Sequence, residues 1–182
     1  MGKLSVDSNY RFIAAANEVN ARITQRQQAL ALYVTLIVSL LAALVAMRPN
    51  QGISDPPIEW LILGFPVASL SFSFLNYKSE VTLSNLRSYL AQLEKLDTES
   101  PSIPSYNSDP TWSIGANKGR RFHDYASALL VTGGNAIGLG AAWKIYPIRL
   151  NAEPTFLYVS ICLAIISIVF LFITPMWSYQ AD

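Results

Sequence analysis

The sequence predicts an all-α membrane protein with four transmembrane helices, the first two extended beyond the membrane as long helices. Three observations carry this. Of 182 residues, 52% are apolar and only 14% charged, where a soluble domain has about a quarter charged. Four uncharged apolar segments recur along the chain, at 29–47, 60–75, 125–143 and 156–173. Lys and Arg fall almost entirely on one side of those segments. Length alone allows one domain, which the segments divide into 1–28, 29–76, 77–124, 125–174 and 175–182.

The first segment, ALALYVTLIVSLLAALVAM, is long enough to cross a hydrocarbon core of ~30 Å. It is not a cleaved signal peptide: 28 mostly polar residues precede it, and it ends in VAMRP without a small-x-small cleavage site. Ahead of it Phe12, Ala16, Val19, Ile23 and Leu30 recur at spacings of three, four and seven, an amphipathic helix. No Gly or Pro interrupts 9–47.

The second segment, WLILGFPVASLSFSFL, runs on into a stripe of Leu83, Leu86, Leu90 and Leu93. Residues 9–47 and 58–96 each cover 39 positions, about 58 Å of helix, of which roughly 28 Å lies beyond the membrane. The two form an antiparallel hairpin. Its stripes pack either within one subunit or between subunits as a coiled coil.

The stretch 100–119, with Pro101, Pro104 and Pro110, reads as irregular. It carries Tyr106 and Trp112 and runs into NKGRRF. Flat rings beside cations suit a base and its phosphate, and equally suit anchoring at a membrane surface.

The third segment contains VTGGNAIGLGAAW. No strand pattern precedes these glycines and no GK[ST] follows, so they are not a nucleotide loop. Their spacing is small-x-x-x-small, Gly134 to Gly138 and Ala136 to Gly140, which lets membrane helices approach closely or lines a narrow lumen. The fourth segment, FLYVSICLAIISIVFLFI, suits contact with lipid. Its lone Cys162 reads as a small hydrophobe.

Of 13 Lys and Arg, ten flank the membrane on the side of the termini and of 77–124. Only Arg48, Lys144 and Arg149 lie opposite. The positive-inside rule places both termini in the cytoplasm. Trp60, Trp143, Tyr146 and Tyr158 then fall near the outer boundary, and Trp112, Trp177 and Tyr179 near the inner one.

An enzyme is not expected. His123, the one histidine, has no second histidine for a metal site and no GxSxG nucleophile to serve; it reads as a solvated or capping residue. No cofactor is called for. No ionisable residue lies at membrane depth, as coupled transporters require.

What the spans offer is small uncharged polarity: Thr35 and Ser39, then Ser69, Ser71, Ser73 and Asn76 beyond Pro66, then Thr132 and Asn135. Ser69, Ser73, Asn76, Thr132 and Asn135 are candidates to line a pore formed by a homo-oligomer, for instance a tetramer, around an axis of second or third helices. Alternatively they bond helix carbonyls or join helices.

The run LYVTLIVSLLAAL … WLILGFPVASLSFSFLNYKSEVTLSNLRSYLAQLEKL, a polar helix feeding a membrane hairpin that continues as a leucine-striped helix, resembles the SLATT-type membrane effectors. Those accompany nucleotidyltransferases in bacterial defence operons. The resemblance covers residues 9–96; a second hairpin brings the chain closer to four-span channel effectors of nucleotide-signal systems such as Hailong. It implies an effector of the bacterial inner membrane that permeabilises or depolarises the host membrane during phage infection. Its signal would be a nucleotide or single-stranded oligonucleotide made by a partner nucleotidyltransferase. The cytoplasmic cations Arg22, Arg26, Lys78, Arg87, Lys118, Arg120 and Arg121, with Trp112, are then the ligand-facing candidates. The other reading from the residues is a non-conducting scaffold that recruits a cytoplasmic partner.

Overall fold

A computed structural model describes residues 7–48, 57–96 and 106–178, except for the side chains of 96, 116–118 and 120. Among the described residues the chain is an all-helical membrane bundle, with four helices long and apolar enough to cross a bilayer. These four are α1 (Ser8–Ala46), α2 (Ile58–Leu96), α3 (Pro110–Ile145) and α5 (Pro154–Ile173); the short α4 (Pro147–Ala152) joins α3 to α5, and a 3-10 turn, Thr174–Trp177, closes the bundle. Alternation of direction gives the bundle a turn end, where α1 meets α2 and α3 meets α5, and an extended end, where α1, α2 and α3 run past the apolar segments.

Helix starts follow the local chemistry. The Asp7 side chain accepts from the Asn9 amide at 3.2 Å, capping α1. Asp109 does the same for α3, accepting from Thr111 at 2.8 Å, with Pro110 in the first turn. A proline there loses no intrahelical hydrogen bond and has its φ already set. Pro147, Pro154 and Pro175 occupy the same position in their elements.

This corrects one reading of the sequence. Pro110 begins a helix rather than belonging to an irregular stretch, so α3 starts fifteen residues before Tyr125. Trp112 therefore lies thirteen positions from Tyr125, roughly 20 Å along the axis, well beyond the start of the apolar segment. The proline-rich residues 97–105 lie outside the described residues. Glu94, near the end of α2, accepts from the Asn107 amide (3.0 Å), the Asn107 side chain (2.7 Å) and the Ser108 amide (3.1 Å). That anchor sets where α3 departs.

α2 is the centre of the bundle. It packs against α1, α3 and α5, and continues unbroken through the buried Pro66, while α1 and α5 do not touch among the described residues. One core joins Tyr33 and Ile37 of α1 to Phe65, Ala68 and Phe72 of α2, Ala128 and Val131 of α3, and Leu171 of α5. A second, at the turn end, gathers Leu44, Ile58, Ile62, Ala142, Tyr146 and Leu150. There the Tyr146 hydroxyl donates to the Leu44 carbonyl at 3.1 Å, and Arg149 pairs with Glu59 at 2.5 Å. Beyond the apolar segments the hairpin stays closed: Ala15, Leu83, Leu90 and Ala91 are buried.

The glycines of α3 divide by face. A Cβ at Gly138 would stand 2.5 Å from the Phe65 ring, and one at Gly134 3.1 Å from the Tyr33 hydroxyl. At Gly133 and Gly140 a Cβ would meet nothing within 4 Å. Gly134 and Gly138 thus let α3 lie close to α1 and α2, whereas Gly133 and Gly140 face away. We expect Gly138→Ala to destabilise the bundle by about 1–3 kcal/mol through overpacking, and Gly140→Ala to leave it unchanged or slightly firmer. Thermal unfolding of the two variants in one detergent, followed by helical circular dichroism, separates them.

Candidate functional site

Polar side chains form a column inside the bundle. On α2, Ser69, Ser73, Asn76 and Glu80 follow at spacings of four, three and four, so they share one face, and all are buried. Ser69 is saturated. Its hydroxyl donates to the Phe65 carbonyl (2.9 Å) and accepts from the Asn135 amide (2.7 Å). Since the Ser69 proton is committed, Tyr33 is the donor in the 3.1 Å contact between their hydroxyls. Ser73 shares its proton between the Ser69 carbonyl (2.8 Å) and the Ser167 carbonyl of α5 (3.0 Å). Three neighbouring helices are thereby tied to α2.

At the extended end of this column lies an ionic knot. The Arg26 side chain, 6% exposed, enters from α1. Its Nε donates to Asn76 Oδ1 at 2.6 Å, Nη1 to Glu80 Oε2 at 3.1 Å, and Nη2 to Asp124 Oδ1 of α3. The Asn76 amide donates in turn to Asp124 at 3.1 Å. One planar guanidinium thus spans α1, α2 and α3, using the fixed fork of donors that lysine lacks.

Arg87, farther out on α2 and half-buried, is close enough to feel Glu80: burial lowers its pKa, and the Glu80 and Tyr106 charges act oppositely. Beside Asp124, His123 Nε2 and Ser127 Oγ are buried without a hydrogen-bond partner. Among the described residues no group of three or more His, Cys, Asp or Glu could hold a metal ion.

Of the pore-lining candidates, Ser69, Ser73, Asn76 and Asn135 point into the protomer's own interior. Thr132 is exposed and bonds the Ala128 carbonyl of its own helix at 2.7 Å. Of the ligand candidates, Arg26 is turned inward, and Arg22 is half-buried against Glu18 (2.6 Å) and Gln25 (3.1 Å). Lys78, Arg121 and Trp112 are exposed. The side chains of Lys118 and Arg120 lie outside the described residues.

Sequence reasoning did not single out Tyr33, Glu80, Asp124 or Ser167. A signal for the knot was present: Arg26, Asn76 and Asp124 each lie within three residues of the basic end of an apolar segment, hence at one depth. Comparison with protein-family models, curated proteins and solved structures gives no match.

Removing one member of a buried ionic group strands the others without compensation. We expect Arg26→Ala to cost about 3–5 kcal/mol, with partial recovery when Glu80→Gln and Asp124→Asn are added. Chemical unfolding of the single and triple variants in micelles measures both.

Proposed function

We propose that the protein is a homo-oligomeric membrane pore, assembled through the outward face of α3 and controlled from the extended end by an anionic cytosolic ligand. The observation that carries this reading is the contrast between the two sides of α3. Inside, the Ser69 and Ser73 hydroxyls and the Asn135 amide are buried and bonded within one protomer, so a conducting path would run between copies. Outside, Phe122, Tyr125, Leu129, Thr132, Ala136, Gly140 and Trp143 follow at spacings of three and four, all exposed. This is a heptad-like seam with its small members at membrane depth. Close approach of such residues drives helix association where water supplies no hydrophobic force, and the Thr132 hydroxyl gives the seam a polar lining.

On this reading both termini are cytoplasmic, and the membrane is the inner membrane of a bacterium. Arg121 and Trp112, both exposed, with Lys118 and Arg120 on the same stretch of sequence, are the ligand-facing candidates on each copy. Repeated by symmetry, they attract a nucleotide or oligonucleotide supplied by a partner nucleotidyltransferase, as the sequence resemblance implies.

A non-conducting scaffold is the second reading. It is favoured by the exposed Tyr10 and Ile13 on α1 and Trp112 and Ile114 on α3 at the extended end, apolar side chains a soluble partner could cover.

In a Cys162→Ser background, oxidised Ala136→Cys should link two copies, and Ala136→Trp should abolish current across a planar bilayer. Folded, oligomeric protein that carries no current would move the assignment to the scaffold. With current in hand, Arg120→Glu together with Arg121→Glu should raise the oligonucleotide concentration needed for gating at least about tenfold, the loss expected for charge-assisted contacts. An unshifted titration would place the ligand elsewhere.

A further inference from the structure

Away from α3, between α1 and α2, the surface opens into an apolar groove of about 400 Å³. Its walls are Leu32, Leu36 and Leu40 on one helix and Val67, Ser71 and Leu75 on the other. Gly64 widens the far end, where a Cβ would come within 3.0 Å of the Leu40 side chain. The stacked rings of Tyr33 and Phe72, 5.0 Å apart, lie at its base. Leu32 is 71% exposed, and Val67 and Leu75 are also open.

Depth gives this groove its meaning. It begins at Ala29 and Leu75, beside the level of Arg26 and Asn76, and extends along α1 to Leu40. Those eleven steps cover about 17 Å, roughly half of a ~30 Å hydrocarbon core. The groove therefore occupies one leaflet, the one adjoining the extended end.

Its mouth is basic. Ser71, Leu75 and Lys78 follow at spacings of four and three, so Lys78 continues the α2 wall just past the apolar segment, exposed. On α1, Arg22 and Gln25 lie seven and four positions ahead of Ala29 and continue that wall. Arg22 is engaged by Glu18 and Gln25, which leaves Lys78 as the foremost charge at the mouth.

We propose that this groove holds one acyl chain of an anionic phospholipid from that leaflet, with Lys78 meeting the headgroup phosphate. A leaflet-deep apolar slot ending in a cation at the membrane surface matches the two parts of such a lipid at their natural spacing. The zwitterionic lipid of equal chain length fits the slot but adds a cation beside Lys78, so the site discriminates by headgroup.

The test uses full-length protein in nanodiscs of equimolar palmitoyl-oleoyl phosphatidylglycerol and phosphatidylcholine. Lipid retained after gentle release is counted by native mass spectrometry. The expected result is one phosphatidylglycerol per protomer, retained about fivefold over phosphatidylcholine, the preference one lysine confers near an anionic surface. Lys78→Gln should erase the preference while lipid is still retained. Leu36→Trp should fill the slot and lose the lipid, with helix content and oligomer size unchanged; Val67→Phe serves if that variant does not fold. Equal retention of the two lipids by the parent protein, or undiminished retention in the filled variants, would overturn the proposal. So would a disulfide between Leu36→Cys and a Val67→Cys on a second copy, in a Cys162→Ser background, because a helix rather than a lipid would then occupy the groove.

Discussion

The structure depends on a single guanidinium. Arg26 is nearly excluded from solvent, and burying a lone cation costs more than a marginally stable fold can spare. It is tolerated because three acceptors on two other helices, Asn76, Glu80 and Asp124, converge on its fork. The geometry is demanding. α1, α2 and α3 must hold one register for all these contacts to exist, and a slip of one turn along any of them would leave a charge unpaired at the edge of the hydrocarbon. Apolar packing alone permits several registers, since one leucine replaces another easily. The knot removes that freedom, and the hydroxyl contacts above it fit only the register so chosen.

Much of this was legible in the sequence. Uncharged runs of membrane length and the absence of any breaker in 9–47 specify the hairpin, because the helix period and the bilayer thickness leave few other arrangements. Gly134 and Gly138 of α3 read correctly as packing residues, whereas Gly133 and Gly140 meet nothing within the protomer. The start of α3 did not read correctly. Pro110 looks like a helix breaker until the capping Asp109 beside it is weighed, and proline acts oppositely at the first turn and in the interior. The partners of Arg26 were hidden for another reason. They lie 50, 54 and 98 positions away, and no local pattern links residues that meet only after three helices have been laid side by side.

The same separation explains why the small polar residues resist assignment from sequence. A serine in an apolar run looks alike whether it faces a neighbour, its own helix or water. Here the face decides. Ser69 and Ser73 lie on the side of α2 that meets α1, α3 and α5, and every proton they own is used in those contacts. Thr132 lies on the opposite side of α3 from Gly134 and Gly138, and the protomer places nothing against it. Two helices therefore carry similar side chains for different ends: α2 spends its polarity on its own subunit, and α3 keeps part of it available at the surface.

A last consequence follows from the unbroken length of α1 and α2. Neither helix is interrupted between the extended end and the turn end, and Arg26 pins them to α3 near the middle. From Arg26, α1 reaches back eighteen residues to Ser8 and forward twenty to Ala46, arms of about 27 and 30 Å. Both arms are continuous helix, so the extended end and the turn end are joined through α1 and α2 with no loop between them.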